Sequence, residues 1–226
     1  MQLKRLHSWD LTPTQAVALQ RQLAARVDVH SPLERFDLIA GADVSYSRFA
    51  NVLYAGVVVL RMADLAIVER REAVRETKFP YVPGLLSFRE APALLEALAQ
   101  VKSAPDVVVL DGHGFAHPRR FGLACHIGLW LDRPCLGCAK SRLTGTFKRL
   151  GVKAESRASL VDGDEIIGAV VRTKTNVKPV FVSVGHRIDL ESAVRIILTV
   201  RAGHRIPEPT RLADQHVGVL RRAATC

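Results

Sequence analysis

Phe36-Asp37-Leu38-Ile39-Ala40-Gly41-Ala42-Asp43-Val44-Ser45 is an apolar, strand-like run with one carboxylate set inside it, at position 43. Burying an unpaired carboxylate is costly, so an Asp in such a run needs a charge partner. Two more runs of this kind follow at 52–61 and 65–74, separated by short polar links, and the three predict a mostly antiparallel meander. Upstream, Thr12-Pro13-Thr14-Gln15 reads as a capping box with proline at the first helical position. Ala16, Leu19, Leu23 and Val27 then fall near helical spacing, so a helix is expected before the sheet.

Downstream of the meander comes a Pro- and Gly-bearing loop, 79–86. Ser87-x-x-Glu90, with Ala91, Leu94, Leu95 and Leu98, has the pattern of a capped amphipathic helix. Residues 107–110 are wholly apolar, as in a central strand covered on both faces. Residues 119–131 alternate near helical period, 165–172 and 178–184 read as strands, and 190–200 and 211–220 as helices. The order is three strands, helix, strand, helix, strands, helices. That predicts an α/β layered domain with a central mixed β-sheet flanked by helices, in the chain order of the ribonuclease H-like three-layer fold. No repeat and no Gly/Ser or Pro linker divides the sequence, so one domain is expected over 1–226.

Composition narrows the partners. The chain is 226 residues long and 48% hydrophobic, an ordinary globular balance. Its apolar runs, 55–60 and 107–110, fall far short of the roughly 20 residues that cross a bilayer, and no signal-like stretch follows Met1. Cysteines at 125, 135, 138 and 226 show no regular disulfide framework. A cytoplasmic protein, acting as a monomer away from membranes, is expected. Lys and Arg total 32 against 22 Asp and Glu, a net charge of +10 that draws a protein toward polyanions, although an arginine-rich proteome would give the same excess.

Four acids fall where a sheet of this order would gather them. Asp43 lies in the first strand, Asp111 directly follows the fourth, Glu90 sits in the first turn of the helix between them, and Asp214 lies one turn into the last helix. First and fourth strands are neighbours in such a sheet, so Asp43 and Asp111 should project side by side. Magnesium takes hard oxygen ligands, and convergent carboxylates beside a phosphate suit it. Each acid also has a structural reading: turn or strand-end residues at 43 and 111, a capping partner for Ser87 at 90, a macrodipole acid at 214. Cys135-Leu136-Gly137-Cys138 has the spacing of half a zinc site, but no second cysteine pair appears, and packed strand cysteines are the simpler reading.

Three segments together resemble the endonuclease V family: Gly41-Ala42-Asp43-Val44-Ser45-Tyr46; Phe79-Pro80-Tyr81-Val82-Pro83-Gly84-Leu85-Leu86-Ser87-Phe88-Arg89-Glu90; and Asp111-Gly112-His113-Gly114, followed by His117-Pro118-Arg119 and Gly122-Leu123-Ala124. A fourth, 207–214, is similar to the family's C-terminal motif, and the likeness spans nearly the whole chain. The resemblance implies a magnesium-dependent enzyme, with manganese as a substitute. It would recognise hypoxanthine in deoxyinosine-containing DNA and hydrolyse a phosphodiester bond 3′ of it, leaving 3′-hydroxyl and 5′-phosphate ends in DNA repair. It further implies Asp43, Glu90, Asp111 and Asp214 as catalytic metal ligands, with Asp214 at a position that varies between acid and histidine, and Lys140 as a catalytic lysine.

Pro80-Tyr81-Val82-Pro83 then becomes a wedge, with Tyr81 entering the helix beside the lesion, and two prolines stiffen such a loop. Gly84, Leu86, Gly112, His113, Gly114 and Gly122 become the pocket for the extracted base, where glycines let backbone approach closely. His117 is a site residue without an assigned role. Two alternatives remain open on this reading: an inosine-specific endoribonuclease, and a nucleic-acid binder without chemistry.

Overall fold

The computed structural model describes residues 1–47 and 51–224; Cys226 lies outside the described residues. The elements are α1 (Pro13–Ala24), β1 (Leu38–Tyr46), β2 (Val52–Arg61), β3 (Ile67–Glu76), α2 (Leu86–Ala99), β4 (Val107–Leu110), α3 (Leu123–Leu131), β5 (Cys135–Ala139), β6 (Arg157–Asp162), β7 (Glu165–Val171), β8 (Val180–His186), α4 (Leu190–Thr199) and α5 (Glu208–Ala223). The strands form one mixed sheet in the order β3-β2-β1-β4-β5-β8-β7-β6. β1, β2 and β3 are the expected antiparallel meander, while β4 lies parallel to β1 and β5 parallel to β4. Helices cover both faces, giving the three layers of a ribonuclease H-like α/β fold.

Side-chain alternation along the strands builds two cores. Ala40, Ala42, Val108 and Leu110 face α2 and α3 with Leu94, Leu98 and Ile127, whereas Ile39, Val107, Val109, Leu136 and Cys138 face the side covered by Val194, Ile197 and Ala213 of α4 and α5. The odd-numbered positions of β1 and β4 and the even-numbered ones of β5 therefore share the α5 face. Gly41 is what lets α5 settle there, because a Cβ at this position would stand 2.0 Å from the Pro209 carbonyl. β2 is buried along most of its length, and the outer strand β3 carries Glu69, Arg70, Arg71 and Glu72, charges that discourage further edge pairing.

Helix α1 carries the expected capping box, Thr12 with Gln15, although it ends before Val27. The second expected box is absent. α2 begins at Leu86, capped by Leu85 with no side-chain hydrogen bond, so Ser87 is already inside the helix and Glu90 lies past its first turn. Ser87 is buried and its Oγ instead meets Nδ1 of His126 at 3.1 Å. The third helix starts at Leu123 rather than 119, because residues 117–120 form a turn closed by the Arg120 N–H on the His117 carbonyl at 2.8 Å, and Gly122 is the cap. The last starts at Glu208 rather than 211, with Pro209 in its first turn. β6 had no expected counterpart. Cys135 belongs to one core and Cys138 to the other, so the two thiols point to opposite faces and cannot share a metal. Among the described residues, no helix is long and apolar enough to cross a membrane.

Candidate active site

Asp43 lies within β1, where its pairing with β4 ends, and Asp111 and Lys140 directly follow β4 and β5, the three on neighbouring strands and on the α5 face. The Ala42–Leu110 register and the bond from Asp111 N–H to the Ala42 carbonyl, 3.1 Å, place the first two side by side. α5, seated over Gly41, brings Asp214 to the same point. Carboxylate oxygens of Asp43, Asp111 and Asp214 all lie within 4.8 Å of one another, and Lys140 Nζ reaches Asp111 Oδ2 at 2.5 Å and Asp214 Oδ1 at 3.3 Å. Arg205 holds the lysine's own backbone, donating through Nη2 to the Lys140 carbonyl at 2.6 Å and through Nε to the Lys178 carbonyl at 2.9 Å.

Three carboxylates meet one ammonium here, and the surplus negative charge is expressed in their protonation. Burial, then the charge of Asp111, pushes the Asp43 carboxyl up to about 8. Burial also raises Asp111, against the hydrogen bond and charge of Lys140. Burial alone would lower the lysine, but Asp111, Asp43 and Asp214 together hold it above its ordinary range and protonated. An all-oxygen donor set with excess negative charge fits a hard divalent cation and does not suit a soft one.

Glu90 stands apart from this trio. It comes from α2, which packs on the opposite face of the sheet, and it lies outside the set of mutually close carboxylates. It is nonetheless near enough to feel Asp111: burial, then that charge, pushes its carboxyl up to about 8.

Beside the acids is a cavity of about 170 Å³ walled by Tyr81, Val82, Pro83, Gly84, Leu86, Gly112, His113 and Gly122, together with Gln20, Ser87, His117, Leu123 and Leu143. Its size suits a single ring system rather than a drug-sized ligand. Gly114 is not in this wall; it packs against the Val184 carbonyl, and its N–H donates to Ser183 Oγ at 2.8 Å. Pro80 and Tyr81 stand exposed at the loop tip, Tyr81 at 71%. The loop's base is anchored by Phe79, which packs with Leu85 and Phe88 and whose carbonyl accepts from Arg89 Nη1 at 2.7 Å.

Gly84 closes this loop at φ +79°, a conformation that favours glycine. Its carbonyl accepts three donors: Arg119 Nη2 at 2.8 Å, His117 Nε2 at 3.0 Å and Gln20 Nε2 at 3.1 Å. Arg119 Nε also donates to Gln20 Oε1. The Arg119 backbone N–H donates to His117 Nδ1 at 3.1 Å, so the neutral ring carries its proton on Nε2. Burial, then the Arg119 charge, lowers His117 to about 4. Both ring nitrogens are thus engaged in bonds that hold the Gly84 loop against the Arg119 turn. His113 Nε2 meets the Ser141 carbonyl at 3.0 Å, and burial lowers its pKa. Gln20, Arg119 and Arg205 were not singled out in the sequence. Arg119 does fall in the quoted His-Pro-Arg motif, the only local signal that could have marked any of them.

The chain is similar to known proteins over nearly its whole length. The family model for Endonuclease V matches residues 21–215. A relative named Endonuclease V from Methanothrix thermoacetophila is 48% identical over 223 residues, covering 99% of this chain and 97% of its own length. The crystal structure of the Endonuclease V from Streptomyces avermitilis superposes with a TM-score of 0.92 at 41% identity, covering both chains in full. The Ciona intestinalis Endonuclease V, solved in complex with a 24mer DNA containing an inosine followed by a ribo-adenosine, superposes with a TM-score of 0.80 at 26% identity, covering 93% of this chain and 98% of that one. Match, identity and coverage together show that the chain belongs to the endonuclease V family, whose members are nucleases acting on phosphodiester bonds.

Proposed function

We propose that this protein is a magnesium-dependent endonuclease that recognises hypoxanthine in DNA and hydrolyses a phosphodiester bond 3′ of the lesion, leaving 3′-hydroxyl and 5′-phosphate ends. The observation that carries this reading is the cluster of Asp43, Asp111 and Asp214, within 4.8 Å, beside a cavity of the size of one ring system. The inosine-bearing DNA bound by the Ciona relative supplies the substrate class.

Asp43, Asp111 and Asp214 would hold the divalent cation, with Glu90 in support from the other face of the sheet. Such a cation, when bound, polarises the phosphate and lowers the pKa of water beside it. The chain's own part is to place the phosphate. Lys140 sets a fixed positive charge at the acids, where negative charge grows on the phosphoryl oxygens during displacement. Tyr81 occupies the gap left by the extracted base, and the Gly84 and Gly112 loops hold that base by its edge. His117, Arg119 and Gln20 keep the Gly84 peptide in place while this happens.

A labelled duplex with a single inosine, incubated with magnesium or with chelator, tests substrate and cofactor together. Nicking only of the inosine strand, and only with magnesium, is expected; equal cutting of an undamaged duplex would contradict the reading. A second reading is an inosine-directed ribonuclease, favoured by the ribo-adenosine that follows the inosine in the Ciona complex. Matched DNA and RNA oligonucleotides compared side by side separate the two.

A further inference from the structure

Residues 140–153 contain five cations, Lys140, Arg142, Lys148, Arg149 and Lys153, and no acid. The first is tied to Asp111 and Asp214. Arg142, Lys148 and Arg149 are exposed and make no ion pair among the described residues. The segment leaves the acids along the rim of the base cavity, which Leu143 helps to wall, and its Ser141 carbonyl meets His113. It then turns at Gly145, φ +78°, and Thr146 is fixed to Val161 of the outer strand β6 by two backbone bonds, 2.7 and 2.8 Å.

That bridge leaves a groove of about 550 Å³ between Phe147 and Lys148 on one side and Ala158, Ser159 and Ile166 on the other. Phe147 is 38% exposed, and its ring meets Phe181 edge-on, 6.1 Å between centroids, so part of the ring is open to solvent in a fixed setting. Of the β6–β7 hairpin's three acids, Asp162 and Glu165 are already engaged by Arg120, which leaves Asp164, exposed in the turn. Three exposed cations of the strip against this one acid leave the surface beside the groove positive. Unpaired cations that follow a backbone, with an exposed ring between them, are the elements of a single-strand binding path.

We propose that residues 141–149 and the groove against β6 and β7 form a subsite for the unpaired nucleic-acid strand that runs from the acids, with one base stacked on Phe147 and phosphates held by Arg142, Lys148 and Arg149. This rests on the reading of the chain as an inosine-directed endonuclease, which brings such a strand to Lys140. Continuity with the acids and complementary charge are what select nucleic acid as the occupant.

The test uses the full chain in chelator, so that nothing is cut, with two fluorescent inosine duplexes. One carries single-stranded extensions at both ends and the other is blunt. Phe147→Ala is expected to weaken binding of the extended substrate about five- to hundredfold, and Phe147→Trp to retain it. Lys148→Gln with Arg149→Gln should flatten the slope of log affinity against log salt by about 1.4, two contacts at roughly 0.7 each. The blunt duplex should respond much less. Variants that bind both substrates like wild type, at unchanged melting temperature, would overturn the subsite. Should Phe147→Ala not fold, the exposed double variant decides alone. A wild-type enzyme that cuts inosine duplex while all variants bind normally removes only the subsite; one that neither binds nor cuts it removes the reading beneath.

Discussion

Lys140 and Asp111, at the ends of the adjacent parallel strands β5 and β4, hold Nζ and Oδ2 2.5 Å apart. On the proposed reading this pair would join two functions in one place, the ammonium restraining a carboxylate that would bind the cation and lying near the phosphate on which charge would develop. Replacing Lys140 by Ala should lower the single-turnover cleavage rate by about 10²–10³-fold, the effect of losing one preorganised charge at a transition state. Affinity for inosine duplex should fall far less. A variant with equal losses in binding and rate would make Lys140 an ordinary phosphate contact.

Tyr81, 71% exposed at the tip of its loop, is free to enter a duplex. Tyr81→Ala should weaken recognition of a paired inosine by about one to two orders of magnitude, the value of a stacked ring, while Tyr81→Phe keeps most of it. The defect should shrink on mispaired or single-stranded inosine, where extraction costs less. Equal binding of the alanine variant and wild type on paired duplex would leave Tyr81 as a surface residue only.

Gly84 combines a positive φ with the contact of Arg119. A Cβ there would lie 2.7 Å from Nη2 of Arg119. Gly84→Ala should therefore cost inosine discrimination, measured as the ratio of cleavage on inosine and undamaged duplex. Arg119→Ala relieves the collision but leaves the backbone strain and removes one of the three donors to the Gly84 carbonyl, so the double variant should recover only in part. Full recovery would show that neither the φ value nor the Arg119 bond sets discrimination.

His117 gives a pH signature. Its folded-state pKa, about 4, lies below the ordinary 6.5, so the unfolded chain binds more protons between the two. Its contribution is complete above about 6.5 and is lost as pH falls toward 4, a loss on the order of 3 kcal/mol. Buried His126, also lowered by burial, acts in the same direction. Urea unfolding at pH 7 and pH 4.5 should show a smaller decline for His117→Gln than for wild type. Identical declines would place the acid sensitivity elsewhere.

The parts of this architecture that were legible in the sequence are those written in local pattern. An Asp inside the apolar run of β1 and another directly after Val107–Leu110 announce themselves by period and by chemistry, and the parallel pairing of β1 with β4 brings them together. Ser87 was misread because the local spacing to Glu90 suits a cap, whereas a distant partner, His126, takes its hydroxyl. β6 escaped notice because it is half exposed and alternates weakly. The clamp on Gly84 joins Gln20 to Gly84 across 64 positions and to Arg119 across 99, and the Lys140–Asp214 contact spans 74. No local periodicity encodes contacts of that range.

The most direct test of the central claim is single-turnover cleavage of an inosine duplex in magnesium by Asp43→Asn and Asp111→Asn, paired with binding of the same duplex in chelator. An amide keeps the shape but cannot supply the anionic oxygen that holds a hard cation. The account predicts cleavage below detection for both, with cooperative unfolding and duplex affinity close to wild type. Near-wild-type turnover in either variant would remove that residue from the centre and contradict the assignment of Asp43, Asp111 and Asp214 as its ligands.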